Sequence, residues 1–323
     1  MPAPRVLITG ITGQDGHYLA RLLTGEGCEV VGLARPGSDG VGASALVAAD
    51  LEDPASLRAA VAEVAPDELY HLAAPTFVPA SWDDPVATVD AIAVGTAALL
   101  AAAREHVPAC RVVVATSSEI FGDAGESPMH ERTPMRPASP YGVAKLCAHG
   151  LVGAMRTRGL HASSAITFNH ESPRRPEHFL PRKVTRGAAA IALGLQETLE
   201  LGHLRAVRDW SDARDTVRGY VLMARAEEPG DYVLASGVGR TVQDLVDAAF
   251  GHAGVDTAAV RVDPGLVRAP EPWPLVGDPS RAAQHLGWRC EIPFEQTIGE
   301  MVDADLAELR ASAAPDPRAS SAG

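Results

Sequence analysis

The chain has 323 residues, 46% of them hydrophobic, enough to bury a large core in one large domain or two closely joined lobes. A formal net charge of −13 argues against general affinity for nucleic acid or anionic membranes, and no apolar run reaches the roughly 18 residues that a membrane span requires. The four cysteines, Cys28, Cys110, Cys147 and Cys290, stand far apart with no Cys-x-x-Cys pair, which points away from structural zinc and disulfides and towards a reduced, cytoplasmic setting.

Arg5 to Thr9 reads as a short buried strand; with a strand so near the start, no leader segment is expected. It enters Gly10-Ile11-Thr12-Gly13-Gln14-Asp15-Gly16, followed by an apolar-periodic helix from His17 to Glu26. Glycines at 10, 13 and 16 between a strand and a helix permit a tight turn and close approach of backbone to a pyrophosphate at the helix N-terminus, so Gly10, Thr12, Gly13, Gln14, Asp15 and Gly16 are expected to bind a dinucleotide. A second strand, Glu29 to Ala34, is followed by Arg35. A carboxylate there would hold the adenosine ribose hydroxyls, whereas an arginine suits a 2′-phosphate, so NADP is expected over NAD. Residues 36 to 48, rich in Gly, Ala and Ser, are expected to form a mobile loop, with order resuming at Asp50-Leu51 near the adenine. A fourth strand, Leu69 to Ala74, should bring Leu72, Ala73 and Ala74 towards the cofactor, and the alanine-rich run Val89 to Arg104 reads as a long helix.

Cys110 to Ala115 is a β-branched run suited to a buried parallel strand, and it ends in Thr116, Ser117, Ser118 and Glu119, where open parallel sheets bind ligands. After a Pro-rich loop, Ser139 can cap a helix with Pro140 in its first turn, which puts Tyr141 and Lys145 on one helical face. A phenol beside an ammonium favours phenolate and can take a proton from an alcohol. Only two of the 28 basic residues are lysines, Lys145 and Lys183, consistent with lysine being kept where a compact point charge is needed.

Further on, His161 to Phe168 reads as a strand, Lys183 to Leu195 as a helix, Tyr232 to Ser236 as a strand, Val242 to Ala253 as a helix and Glu295 to Leu309 as a terminal helix. Between Arg174 and Arg218 nine basic residues face six acidic ones, an excess that could hold a phosphorylated ligand unless pairs such as Arg208-Asp209 and Arg214-Asp215 neutralise each other. The alternation of strands and helices predicts an α/β fold with a doubly wound parallel sheet. Residues 1–168 would form the cofactor domain with the catalytic residues, 169–311 a smaller substrate lobe from which the chain crosses back, and 312–323 a disordered tail.

These residues resemble the extended short-chain dehydrogenase/reductase family, and within it the GDP-mannose 4,6-dehydratases, from about Arg5 to Met301. The resemblance is carried by Ile8-Thr9-Gly10-Ile11-Thr12-Gly13-Gln14-Asp15-Gly16, Ser118-Glu119, Ser139-Pro140-Tyr141-Gly142 with Lys145, Phe168-Asn169-His170-Glu171-Ser172-Pro173-Arg174-Arg175, Arg182-Lys183-Val184-Thr185-Arg186, Arg208-Asp209-Trp210 and Leu286-Gly287-Trp288. It implies a Rossmann domain in which Tyr141 and Lys145 act on a sugar alcohol, Ser117 and Ser118 supply hydroxyls and Glu119 serves an elimination. It further implies that His170 and Arg175 contact NADP, and that Asn169, Lys183, Arg208, Arg268 and Glu271 contact a nucleotide-diphosphate hexose, GDP-mannose favoured, in a homodimer or homotetramer. The chain departs from the family at Ser117, where threonine is usual, at Pro75-Thr76-Phe77 in place of Gln-Ser-His, at Ala87 in place of an aromatic, and at Pro36 in place of a second arginine.

The implied chemistry is transient oxidation at C4, elimination across C5 and C6, and return of the hydride to C6, giving a 4-keto-6-deoxyhexose with no net redox change. The alternatives are a nucleotide-sugar 4-epimerase or reductase on the same scaffold, which would need no base at C5, and a non-enzymatic NADP-binding regulator, which would need neither Tyr141, Lys145 nor Glu119.

Overall fold

The computed structural model describes residues 3–35, 37–38, 43–266 and 274–313. In chain order the elements are β1 (Arg5–Thr9), α1 (Gln14–Gly25), β2 (Glu29–Ala34), β3 (Ala45–Ala48), α2 (Pro54–Val64), β4 (Glu68–His71), α3 (Pro85–Val89), which runs through a π-helical segment (Asp90–Val94) into α4 (Gly95–His106), β5 (Arg111–Ala115), α5 (Pro140–Arg156), β6 (His161–Thr167) and β7 (Asn169–Glu171). They continue with α6 (Leu180–Ala192), β8 (Leu199–Leu201), β9 (Val207–Asp212), α7 (Ala213–Arg225), β10 (Asp231–Leu234), β11 (Gly239–Thr241), α8 (Val242–Ala253), β12 (Val260–Val262), α9 (Ser280–Leu286) and α10 (Phe294–Ala313).

The chain divides into two compact units, one of Met1–His170, Asp209–Gly239 and Pro272–Glu291, the other of Glu171–Arg208, Arg240–Glu271 and Ile292–Gly323. This replaces the simple division at residue 168. The chain returns to the first unit because β10 supplies its seventh strand, pairing parallel with β6 at Tyr232↔Ala165 and Val233↔Ile166.

The first unit's sheet has the order β10-β6-β5-β4-β1-β2-β3, parallel throughout. Side chains alternate along each strand and both faces are covered. Val6 and Ile8 of β1 therefore join Leu19, Leu23, Val113 and Tyr220 in one core cluster, while Leu7 joins Leu57, Val61, Leu69, Leu99 and Val112 in another.

Three local expectations are corrected. The stretch expected to be a mobile loop up to residue 48 ends in β3, an edge strand of only four residues whose Ala-Leu-Val-Ala side chains are largely exposed; residues 36 and 39–42 of that stretch lie outside the described residues. The fourth strand stops at His71, because the amides of Leu72 and Ala73 turn to donate to Thr9 Oγ1 at 3.1 and 3.0 Å. The long helix starts at Pro85, capped by Asp84, whose carboxylate accepts from Ala87 N. Pro85–His106 is long and apolar enough to span a bilayer by length and composition, but 56% of its most apolar window is buried within the fold.

In the second unit α6, α8 and α10 pack on one another, and β8 pairs parallel with β12. Arg182, almost fully buried, donates from Nε to Asp305 at 2.6 Å and from Nη2 to Glu308 at 3.0 Å, tying α6 to α10. A third sheet has the order β11-β9-β7. α10 runs to Ala313, so helix replaces the first two residues of the expected tail; residues 314–323 lie outside the described residues.

Candidate active site

Because the sheet is parallel, its carboxyl ends share one edge, and the winding reverses between β1 and β4, where a crevice opens in sheets of this kind. Gly10 has φ +73, and a Cβ there would lie 2.9 Å from Ala73 N, so the turns after β1 and β4 meet through a bare Cα. A Cβ on Gly16 would fall 2.2 Å from Gly10 O, which closes that position to any other residue. Gly13 N–H donates to Gly10 O at 2.9 Å, and Gly13 is the N-cap of α1 with no side chain capping the helix. The exposed positive end of α1, above a turn with glycines at 10 and 13, fits the pyrophosphate of a dinucleotide.

Thr12 is exposed on this turn, Arg35 is exposed just beyond β2, and Asp50 follows β3, whose Ala48 pairs with Ala34 of β2. Arg35 and Asp50 thus stand beyond adjacent strand ends. Asp50 is held by its own loop, its N–H donating to Ser56 Oγ at 3.0 Å and its Oδ1 accepting from Glu52 N at 3.1 Å. Leu51 lies against Gly95, where a Cβ would stand 3.1 Å from its carbonyl oxygen.

Beyond β5 the backbone turns sharply. Ser117 caps a short 3-10 turn, Ser118–Ile120, its Oγ accepting from Glu119 N at 3.2 Å. Ser117 and Ser118 are buried and Glu119 is half-buried. Ser139 caps α5 as expected, accepting from Gly142 N at 3.0 Å. A Cβ on Gly142 would lie 2.6 Å from Glu119 O, so this glycine lets the first turn of α5 press against the Glu119 backbone, one residue from Tyr141.

Tyr141 and Lys145 are both buried, with Lys145 Nζ 5.8 Å from the centre of the Tyr141 ring. Tyr141 packs against Ile92, Ala144 and Ala148, beside Ala74 of the turn after β4. Lys145 Nζ donates to Ala115 O at 2.7 Å, tying α5 to the end of β5. Burial pushes the Lys145 ammonium down to about 8, against an upward pull from Asp15.

Asp15 turns inward to a cluster that the sequence did not reveal. His170 Nε2 lies 2.9 Å from Asp15 Oδ2, Tyr220 OH donates to the same oxygen at 2.9 Å, and Gln14 Nε2 donates to Asp15 Oδ1 at 3.2 Å and to His170 O at 3.0 Å. Burial raises the Asp15 carboxyl, but the charge of His170 and the hydrogen bonds from His170, Tyr220 and Gln14 outweigh it and hold the group below its ordinary 3.8. His170 Nδ1 faces Phe168 O at 2.8 Å, so with Asp15 ionised both ring nitrogens face acceptors. Tyr220 stands 205 residues from Asp15 and offers no local signal in the chain.

Asn169 is half-buried at the start of β7. In the second unit Lys183 is exposed on α6, and Arg208, half-buried, donates from Nη1 to Val207 O at 2.9 Å. Arg175 lies 3.3 Å from Glu171 and stacks over Phe179 at 3.7 Å. Arg268 and Glu271 lie outside the described residues. Much of the basic excess goes into structure. Arg182 and Arg186 pair with α10, Arg214 pairs with Asp212 at 2.8 Å, and Asp215 pairs with Arg218 at 3.2 Å. Asp209 is occupied by Ser236, Gly237 and Gly277.

Residues 7–301 match the family described as GDP-mannose 4,6 dehydratase. GDP-mannose 4,6-dehydratase of Sinorhizobium fredii is 42% identical, the alignment covering 94% of this chain and 97% of the relative, and GDP-mannose 4,6 dehydratase 2 of Arabidopsis thaliana is 42% identical over 94% and 87%. Among solved structures, RMD from Pseudomonas aeruginosa complexed with NADPH superposes with a TM-score of 0.82 at 26% identity, covering 95% of this chain and all of that one. UDP-glucose 4-epimerase of Thermus thermophilus in complex with NAD gives 0.81 at 28%, covering 93% and 98%.

Proposed function

Since the chain belongs to the GDP-mannose 4,6-dehydratase family, within the extended short-chain dehydrogenases/reductases, we propose that it converts a nucleotide-diphosphate hexose, GDP-mannose first among them, into the 4-keto-6-deoxy sugar. The cofactor is a nicotinamide dinucleotide held by the turns at Gly10–Gly16 and Leu72–Ala74. NADP is favoured because Arg35 stands exposed beyond β2, where a 2′-phosphate would meet it. A nicotinamide bound there would supply reversible hydride storage, between oxidation at C4 and reduction at C6.

The chain's own residues move the protons. Tyr141 takes the C4 hydroxyl proton, with Lys145 and the Ser117 hydroxyl favouring its phenolate form, and C4 becomes a ketone. The ketone acidifies C5–H, and Glu119 removes that proton. The C5 electron pair forms the C5–C6 double bond as the C6–O bond breaks, and the oxygen leaves as water with a proton delivered by Glu119. Return of the hydride to C6 completes the methyl group, C5 takes a proton from solvent through Glu119, and Tyr141 releases the C4 hydroxyl proton, so no net oxidation remains. Asn169, Lys183 and Arg208 bind the nucleotide diphosphate, and His170 and Arg175 the cofactor.

The observation that carries this reading is the contact of the Glu119 turn with Gly142, which packs the Glu119 backbone against the first turn of the helix that carries Tyr141 and Lys145. An epimerase has no use for a base at C5. The test is incubation with GDP-, UDP-, dTDP- and CDP-hexoses, each with NADP and with NAD, and analysis for 4-keto-6-deoxy product. GDP-mannose with NADP should give the fastest conversion. A C4 epimer as sole product would contradict the elimination, and equal rates with the two cofactors would remove Arg35 from recognition.

A further inference from the structure

At the back of the cofactor crevice lies a buried histidine that the proposed chemistry does not use. His71, the last residue of β4, is 4% exposed, and its partners Thr9 and Thr96 are 0% and 1% exposed. Thr9 Oγ1 accepts the amides of Leu72 and Ala73 at 3.1 and 3.0 Å and lies 2.8 Å from His71 Nδ1. On the other edge of the ring, His71 Nε2 lies 3.1 Å from Thr96 Oγ1, and the Thr96 hydroxyl donates to Ile92 O at 2.5 Å.

The hydrogens in this chain are fixed by elimination. Both lone pairs of Thr9 Oγ1 are taken by backbone amides, so its own hydrogen points to His71 Nδ1. Nδ1 is therefore an acceptor and Nε2 carries the ring's hydrogen, which goes to Thr96, whose hydroxyl hydrogen is already committed to Ile92. A second hydrogen on the ring would meet an oxygen with no lone pair left. Burial and the nearby charge of Lys145 act in the same direction, pushing His71 down to about 3.

The two ends of this chain give it a purpose. Thr9 immediately precedes Gly10, and His71 immediately precedes the Leu72–Ala74 turn, the two segments that touch where Gly10 lacks a side chain. Ile92 lies in the π-helical segment and packs against Tyr141. We propose that His71, as a neutral Nε2–H imidazole bridging Thr9 and Thr96, is a positioning residue for the cofactor: it fixes the separation of the two turns and references both to the helix segment behind Tyr141. This rests on reading those turns as the dinucleotide site.

The test measures binding of NADPH alone, by fluorescence titration, so it stands even if no sugar is dehydrated. His71→Leu fills the space but breaks both links, and Thr96→Val removes only the far link, on the opposite edge of the ring from Thr9. Each should weaken NADPH about tenfold, the loss expected for a buried hydrogen bond. Because Thr96 acts through His71, the double variant should bind no worse than His71→Leu. In the native protein, nitrogen NMR should show His71 as the neutral Nε2–H tautomer from about pH 6 to about pH 9. Unchanged NADPH affinity in Thr96→Val, additive losses in the double variant, or a doubly protonated His71 at about pH 6 would each overturn the proposal, and the NMR result decides even if His71→Leu fails to fold.

Discussion

Burial takes the Lys145 ammonium from an ordinary 10.5 to about 8, so near neutrality the fold holds a charge it would hold more easily as an amine. Between about pH 8 and about pH 10.5 the unfolded chain binds one more proton at this position than the folded chain, so the cost of Lys145 is full below that window and relieved as pH rises through it. The gap corresponds to about 3 kcal/mol. Lys145→Met should therefore unfold at higher urea than the native protein at neutral pH, lose that advantage above about pH 10, and be inactive; a variant less stable at neutral pH would show that the charge is well solvated. Tyr141→Phe keeps the ring that packs on Ile92 and Ala144. It should lower turnover about a thousandfold, the scale of acid–base catalysis, with cofactor affinity nearly unchanged. Native turnover in this variant would remove Tyr141 from the mechanism.

The catalytic geometry depends on which elements can touch. Gly142 lets α5 lie against the Glu119 turn, and Gly142→Ala would place a Cβ 2.6 Å from Glu119 O. The turn and the helix must then separate, so turnover should fall at least about tenfold, with stability lower by about 1–3 kcal/mol and cofactor affinity kept. Native turnover would show that the contact is incidental. The β1-turn-α1 and β5-turn-α5 segments were legible in the chain because strand, turn and helix are contiguous and each glycine or cap serves its neighbours. Contacts far apart in sequence were not. The inward rotation of Asp15 depends on Tyr220 of α7, and the end of β4 depends on a Thr9 hydroxyl 63 residues away. β3 escaped because it is only four residues long and runs straight on from a glycine- and serine-rich stretch. Arg182 and Arg214, read as part of a ligand-binding excess, are spent on α10 and Asp212, partners that charge counting cannot choose among.

At the scale of the whole molecule, the parallel sheet gathers Gly10, Arg35, Asp50, Ala73, Glu119 and Asn169 beyond one row of strand ends, from segments spread across the first 170 residues. Trp82, just before the long helix, and Val86, in its first turn, are 64% and 70% exposed, and we propose that a second copy of the chain covers them. Light scattering should give a dimer or tetramer and Trp82→Glu a smaller species; a native monomer would contradict this. A hydride taken from C4 and returned to C6 of the same sugar can be followed with GDP-mannose deuterated at C4. The native protein, turning over with substoichiometric NADP, should yield a 4-keto-6-deoxy product with the deuterium at C6. A product that retains deuterium at C4 with inverted configuration, or turnover that consumes stoichiometric cofactor, would contradict it.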